Sequence, residues 1–327
     1  MKAFAYVNAA NEKEVIAALG PDRGRMLPLA GGMDLLAMMK DHIVEPERLV
    51  NVKNLDKTIA RTPDGGLRIG SAVTLADLAA HAEVQRSFPA LAQAAEEVGT
   101  PQIRNAGTVG GNLNQRPRCW YFRNEEFACL KKGGARCFAV EGENQYHAIF
   151  GDGPCHIVHP SSLAVPAVAL NAQFRVAGPA GEREIPAAEY YQMPDRNLFG
   201  ETALAPNEIL THVLVPPSGA SKNATYEVRY KQSHDWPLAT ASVALLMSGQ
   251  TVRSARIVMG AVAPVPWRSA AAEAALTGKS LGDDAAMAAA DAAVAAAKPM
   301  SLNSYKVQIA RTAVKRAILK AGGMKVV

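Results

Sequence analysis

No stretch of this sequence approaches the eighteen or so uninterrupted apolar residues of a membrane span, which argues against a membrane protein. The N-terminal MKAFAYVNAANEKEVIAALG lacks the basic segment, apolar run and small-residue cleavage site of a secretion signal, so a cytoplasmic location is expected. No block of Lys and Arg with interleaved aromatics occurs; the net charge of +5 is spread along the chain, and nucleic acid is not an expected partner. Neither the G-x-G-x-x-G of a Rossmann dinucleotide site nor the G-x-x-x-x-G-K-[ST] of a P-loop is found, which argues against both folds. H-E-x-x-H is missing, as is any nucleophile–base pair at informative spacing, so substrate chemistry is not expected on this chain. Cysteine is absent outside residues 119 to 155, and there is no internal repeat.

What is present suits a globular protein of two domains. The chain has 327 residues, 49% of them hydrophobic and 20% charged. LPLAGGMDLLAMMK predicts a strand ending at Ala30, a Gly-Gly turn, and a helix through Leu35, Leu36 and Met39. LRIGSAVTLADLAAHAEV predicts a short strand and a helix, with Thr74 and Asp77 spaced as a capping box. PALAQAAEEVG predicts a helix stopped near Gly99, followed by a second glycine-bearing loop from Gly107 to Gly111. Pro and Gly then cluster, and the pattern turns to β-like runs: EILTHVLVP, ATYEVRY, ATASVALLM and TVRSARIVMGAVAPV. A domain boundary is expected near residue 176. The tail is helical, with alanine-rich segments and an apolar repeat through Val307, Ala310, Val314 and Ile318. Strands followed by helices indicate an α+β second domain over residues 177–327.

A phosphate-bearing cofactor needs backbone N–H groups that approach its oxygens closely, and glycine permits that approach. AGGMDLL fits, because Gly31 and Gly32 precede a helix whose first amides are free. Taken alone, such a loop reads better as a simple strand–helix turn, and it is the second loop that shifts the balance. The second loop, TVGGNL, adds a hydroxyl, two glycines and an amide, a set suited to pyrophosphate and ribityl hydroxyls.

In this order and at these separations, LAGGMDLLAMMK, IGSAVTLADLA, VGTPQIRNAGTVGGNLNQ and HPSSLAVPAVAL resemble the FAD-binding medium subunits of molybdenum hydroxylases. That group includes the flavoproteins of xanthine dehydrogenases, carbon monoxide dehydrogenases and aldehyde oxidoreductases. The resemblance runs through IVMGAVAPVPWR to the last helix. It implies an FAD domain of the vanillyl-alcohol-oxidase (PCMH) type in two α/β subdomains, residues 1–176. A C-terminal domain like that of carbon monoxide dehydrogenase flavoproteins, a small antiparallel sheet with helices, would follow. Leu29, Ala30, Gly31, Gly32, Met33, Asp34 and Leu35 would hold the FAD pyrophosphate. Thr108, Gly111 and Asn112 would line the second side, with Gln102, Ile103 and Asn105 near the flavin. Two departures stand out. Ser162 occupies a position where the family usually has an aspartate, and Lys231, with Glu227 and Arg229 as alternatives, is assigned to the family's flavin-proximal lysine.

The four cysteines, Cys119, Cys129, Cys137 and Cys155, are spaced C-x9-C-x7-C-x17-C, without the tight C-x2-C pairs of zinc ribbons or ferredoxins. Two disulfides, a structural zinc and a four-iron cluster all remain open on spacing alone. A large, signal-free chain argues against disulfides. His147, His156 and His159 are spare ligands for zinc. Arg116, Arg118, Lys131, Lys132 and Arg136 would offset the negative charge of a cluster, or form a solvated face. RPRCWYF, CFAVEGENQYHAIFG and CHIVHPSSLA resemble the subset of medium subunits, including that of 4-hydroxybenzoyl-CoA reductase and of a bacterial aldehyde oxidoreductase, that carry an extra [4Fe-4S] cluster. The insertion spans about 115–158.

The resemblance further implies a large molybdopterin-binding subunit and a small [2Fe-2S] subunit as partners. The external acceptor or donor would be NAD, a quinone, ferredoxin or oxygen. Export of the folded complex on a partner's twin-arginine signal would place it in the periplasm instead. A stand-alone flavin reductase of the same fold and a non-enzymatic zinc or iron–sulfur scaffold are the alternatives.

Overall fold

Three sheets organise the chain in the computed structural model, which describes residues 1–22, 24–231 and 234–326. Strands β1 (Ala5–Val7), β2 (Met26–Leu29) and β3 (Arg48–Asn51) form a small parallel sheet in the order β1-β3-β2. Parallel neighbours need a crossover, and the helix Glu12–Leu19 lies in the one between β1 and β2. Asn11 caps that helix, its side chain accepting from the Glu14 N–H at 3.0 Å, and Val15 and Leu19 bury against Val50 of β3.

The second sheet is antiparallel, with β4 (Ile59–Arg61), β5 (Leu67–Gly70), β6 (Gln173–Gly178), β7 (Gly181–Pro186) and β8 (Ile209–Val215) in the order β4-β5-β8-β6-β7. Ile69, Val213 and Phe174 stand in register across three of its strands and share one core with the helices Leu75–Ala80, Pro89–Glu96 and Ala164–Ala169. Thr74 caps the first of these as its spacing predicts, accepting from Asp77 N–H at 3.0 Å. Residue 176, the expected domain boundary, falls inside β6, which is hydrogen-bonded to both β7 and β8. The Pro- and Gly-rich stretch after it is an excursion within one sheet, and the first unit continues to Val215.

The third sheet holds β9 (Ser221–Val228), β10 (Ala239–Ser248), β11 (Thr251–Gly260) and β12 (Trp267–Arg268) in the order β12-β11-β10-β9, all antiparallel. Helices Ala270–Leu276, Asp283–Val294 and Tyr305–Ala321 pack with it. Val243, Leu245, Ile257 and Met259 meet Ala310, Val314 and Ile318 in that core, while Val307 is half-buried at its edge. The alanine-rich segment is an ordered helix whose Ala286, Ala289, Ala290 and Ala293 are buried.

The cysteine-bearing insertion docks on this C-terminal unit. The Asn303 side chain donates to the carbonyls of His147 and Ala148 at 3.1 and 3.2 Å, and the Leu302 N–H donates to Asn144 Oδ1 at 2.9 Å.

Candidate functional site

β2 delivers the first glycine segment to the surface of the helix Pro101–Ala106, and the contact there is tight. A Cβ on Gly31 would stand 1.9 Å from the Ala106 carbonyl oxygen, so only glycine lets the two segments touch. Gly32 follows at φ +75°, in the left-handed region, and turns the chain into the helix Leu35–Lys40. The second segment is not an open loop, as expected, but the short helix Val109–Leu113. Thr108 caps it, its hydroxyl accepting from Gly111 N–H at 3.0 Å, and that side-chain bond replaces a turn with a helix start. Gly110 packs on Ser71, where a Cβ would approach its backbone oxygen to 3.0 Å.

Between the two segments lies a cavity of about 860 Å³. Cofactor sites fall in the range of about 300–1,000 Å³. Ala30 to Leu35, Ile103, Thr108, Gly111, Asn112 and Ser162 all line it. Leu29 lies on β2 behind the turn, while Gln102, Asn105 and Lys231 are exposed and stand outside the lining. Sequence reasoning did not assign Arg118, Glu201 and Trp236 to the cavity, which they also line. These residues carry no shared local motif.

Asn112 is a joint: its Oδ1 accepts from Ser161 Oγ at 2.7 Å and from Leu163 N–H at 3.3 Å, tying the second segment to the HPSS turn. Asp34 is another. Its carboxylate accepts from the Arg116 N–H at 2.8 Å and from Arg123 at 2.6 Å, and it pairs with Arg118 at 2.9 Å. An acid expected to face the cofactor thus also anchors the start of the cysteine insertion. Arg118 in turn lies over the Trp236 ring at 4.5 Å, and burial draws its pKa down to about 10.

Glu201 forms the second buried charge centre. Burial pushes its carboxyl up, but the charges and hydrogen bonds of Arg116 and Lys131 outweigh that and hold it below the usual carboxylate range. Arg116 binds it through two nitrogens at 2.9 and 3.1 Å, and Lys131 at 2.8 Å. Of the five cations expected around a cluster, Arg116 and Arg118 are spent on Glu201 and Asp34, and exposed Arg136 faces Glu141. Lys132 is half-buried and donates to the Asn124 carbonyl. Lys131 is the one whose charge acts on a thiol, that of Cys155.

The four cysteines are free, so neither of the two disulfides that the spacing allows is formed. Cys119 precedes the helix Trp120–Arg123, and Cys129 is buried beside Phe122 and Met38. The thiols of Cys137 and Cys155 titrate as a coupled pair, which favours the thiolate at Cys137, drawing it down to about 5, and raises Cys155. Burial pushes Cys119 up to about 11, and the charges of Cys137 and Cys129 reach it. His147 Nε2 lies 3.3 Å from Cys119 Sγ. Among the described residues no three His, Cys, Asp or Glu side chains converge closely enough to hold a single metal ion.

Residues 2–218 match the family model described as the FAD binding domain in molybdopterin dehydrogenase. The chain belongs to the FAD-binding medium subunits of the molybdenum hydroxylases. Residues 224–321 match the carbon monoxide dehydrogenase flavoprotein C-terminal domain, so the two family models meet just after β8. This medium subunit is 36% identical to the aldehyde oxidoreductase FAD-binding subunit PaoB of Escherichia coli K12, over 98% of this chain and 99% of that one. It is 29% identical to the carbon monoxide dehydrogenase medium chain of Hydrogenophaga pseudoflava, over 96% of each. A solved structure of the carbon monoxide dehydrogenase of that organism superposes with a TM-score of 0.77, covering 98% of both chains at 29% identity. The FAD-domain and C-terminal architecture expected from the motifs is therefore the observed one, and the chain is an oxidoreductase subunit.

Proposed function

We propose that this subunit holds FAD in the cavity between its two glycine segments and carries electrons between an iron–sulfur partner and an external acceptor or donor. The observation that carries the reading is the contact of Gly31 with Ala106, which joins both segments into one wall beside a cavity of cofactor size. Ala30 to Asp34 line it with a glycine turn, and Thr108, Gly110, Gly111 and Asn112 line it with small side chains and an amide, the N–H groups of Val109 to Asn112 being engaged within the fold. Bound FAD would supply one- and two-electron redox chemistry at its ring. The chain's own residues bind, orient and enclose: the stacked Trp236 and Arg118 line the cavity, as does Ser162.

Cys119, Cys129, Cys137 and Cys155 would hold a [4Fe-4S] cluster. The coupled titration of Cys137 and Cys155 and the charges of Cys137 and Cys129 felt at Cys119 support four thiols close to one another. A four-iron cube spreads its thiolates more widely than one ion does, whereas zinc would need them drawn to a point. Asp34, which meets both the cavity and Arg116, Arg118 and Arg123, couples the two sites mechanically. A relative that is itself a medium chain supports a larger and a smaller subunit as partners; in this reading the large one binds molybdopterin, the small one carries [2Fe-2S] clusters, and NAD, a quinone, ferredoxin or oxygen stands at the outer end.

Anaerobic purification of the assembled complex, followed by separation of its subunits, tests this. FAD, iron and acid-labile sulfide on this chain are the expected result. A chain without flavin, or with flavin but no sulfide, overturns the corresponding half.

A further inference from the structure

Arg118 lines the flavin cavity from the start of the cysteine-bearing insertion, and its guanidinium is clamped there. Its Nη2 pairs with Asp34 Oδ1 at 2.9 Å and donates to Gln115 Oε1 at 3.2 Å, while its Cζ lies over the Trp236 ring at 4.5 Å. A ring contact of this kind fixes a guanidinium without engaging its N–H groups. Among the described residues no protein group accepts from Nε or Nη1. Those donors are left for a ligand.

The surrounding charges favour an anion. Asp34 closes the first glycine segment, and alone its carboxylate would repel a phosphate there. Arg118 and Arg123 both pair with it, and Arg116 and Lys131 both pair with Glu201, so each carboxylate is outweighed by two cations. Of the other acids lining the cavity, Glu97 pairs with Arg229, Glu208 pairs with Arg183, and Asp235 accepts from the backbone N–H groups of Lys231 and Trp236. The second glycine segment has little to offer an anion, because the N–H groups of Val109 to Asn112 are bonded within the fold. A donor from elsewhere is needed.

We propose that Arg118 donates to the pyrophosphate of FAD and that Trp236 holds it in place to do so. This rests on FAD occupying the cavity with its pyrophosphate at the first glycine segment. A planar guanidinium presents parallel N–H groups to neighbouring phosphate oxygens, which a lone ammonium does not. Trp236, Gln115 and Asp34 fix its orientation before the cofactor arrives, so little side-chain freedom is lost on binding. The insertion that carries the thiols thereby also supplies a wall of the flavin site.

Removal of FAD from the assembled complex and titration back at rising potassium chloride tests the proposal. Arg118→Met, which keeps the length and loses the charge, should weaken FAD binding about tenfold to a hundredfold, the size of a hydrogen bond to a charged group. Its dissociation constant should also depend less on salt than that of the wild type. Arg118→Lys keeps the charge and changes the donor geometry, so the phosphorus NMR resonances of its bound FAD should move; it decides the matter alone if Arg118→Met fails to fold. A merely structural Arg118 would weaken binding with the salt dependence and the phosphorus resonances unchanged, and that result overturns the proposal. So does a lowered flavin reduction potential with unmoved phosphorus resonances, which would put the guanidinium at the ring instead. A wild-type complex that holds no FAD removes the cofactor reading, and this inference with it.

Discussion

Lys306 Nζ donates at 2.6 Å to the carbonyl oxygen of Ala261, a non-glycine residue held at φ 59°. The same ammonium reaches the Tyr146 and His147 carbonyls at 3.2 and 3.1 Å, so one fully buried lysine holds the cysteine insertion to the C-terminal unit. Burial draws it down to about 7, and the three carbonyl dipoles oppose that by favouring the charged form. Lys306→Met keeps the bulk and removes the donor. A stability loss of about 3 kcal/mol is expected, from carbonyls left buried without it. Thermal unfolding checks the loss, and hydrogen exchange should rise first around residues 144–148.

Gly31→Ala should reduce FAD occupancy to about a tenth or less, because the added methyl meets a backbone oxygen that cannot rotate away. Gly32→Val should also weaken FAD binding, through strain at φ +75° of about 1–2 kcal/mol. Its Cβ would meet the flexible Leu36 side chain, so the milder Gly32→Ala should cost less than Gly31→Ala. Flavin content per chain measures all three. Full occupancy in Gly31→Ala would show that the two segments do not need this contact.

Cys137→Ser should lose iron and acid-labile sulfide while retaining FAD, since Cys137 does not line the flavin cavity. Metal and flavin analysis of the same preparation reads both. Unchanged iron would remove Cys137 from the ligand set.

His159 is fully buried, and loss of solvation lowers its pKa to about 4. The unfolded chain binds a proton there near pH 6.5, while the folded one does not until about pH 4. The stabilising effect is therefore complete above pH 6.5 and is lost as pH falls toward 4, by roughly 3 kcal/mol in all. Unfolding midpoints for the wild type and His159→Phe across pH 4 to 7 should converge in slope at the top of that window and diverge below it. Parallel curves would show that another group carries the acid sensitivity.

Glu201→Gln leaves Arg116 and Lys131 facing a neutral amide in a buried site, and about 3–5 kcal/mol of destabilisation is expected. In the wild type this carboxylate's contribution holds above the usual carboxylate pKa and is lost as pH falls below it. Acid titration monitored by near-UV circular dichroism should therefore show a transition that the variant lacks.

Much of this was legible in the residues because its causes are local. Thr74 and Asp77 make a capping box three positions apart, and alternation marked out β8, β9, β10 and β11. The helix Val109–Leu113 was missed because glycine pairs signal turns, and the single bond from Gly111 to Thr108 decides otherwise. The boundary at 176 was misplaced for a related reason: Pro and Gly mark a break in local structure, not in the sheet that continues on either side of it.

By itself the sequence determined which segments turn, which alternate, that the thiols belong to one insertion, and which family the motifs resemble. These depend on backbone angles, side-chain periodicity and capping, all settled within a few residues. Only the tertiary structure decided that Gly31 meets Ala106, that Asp34 serves Arg116 and Arg123, and that Lys306 holds the insertion. Each of those pairs joins residues more than sixty positions apart. Their closeness is set by the summed packing of three sheets and their helices, and no short stretch of chain encodes it.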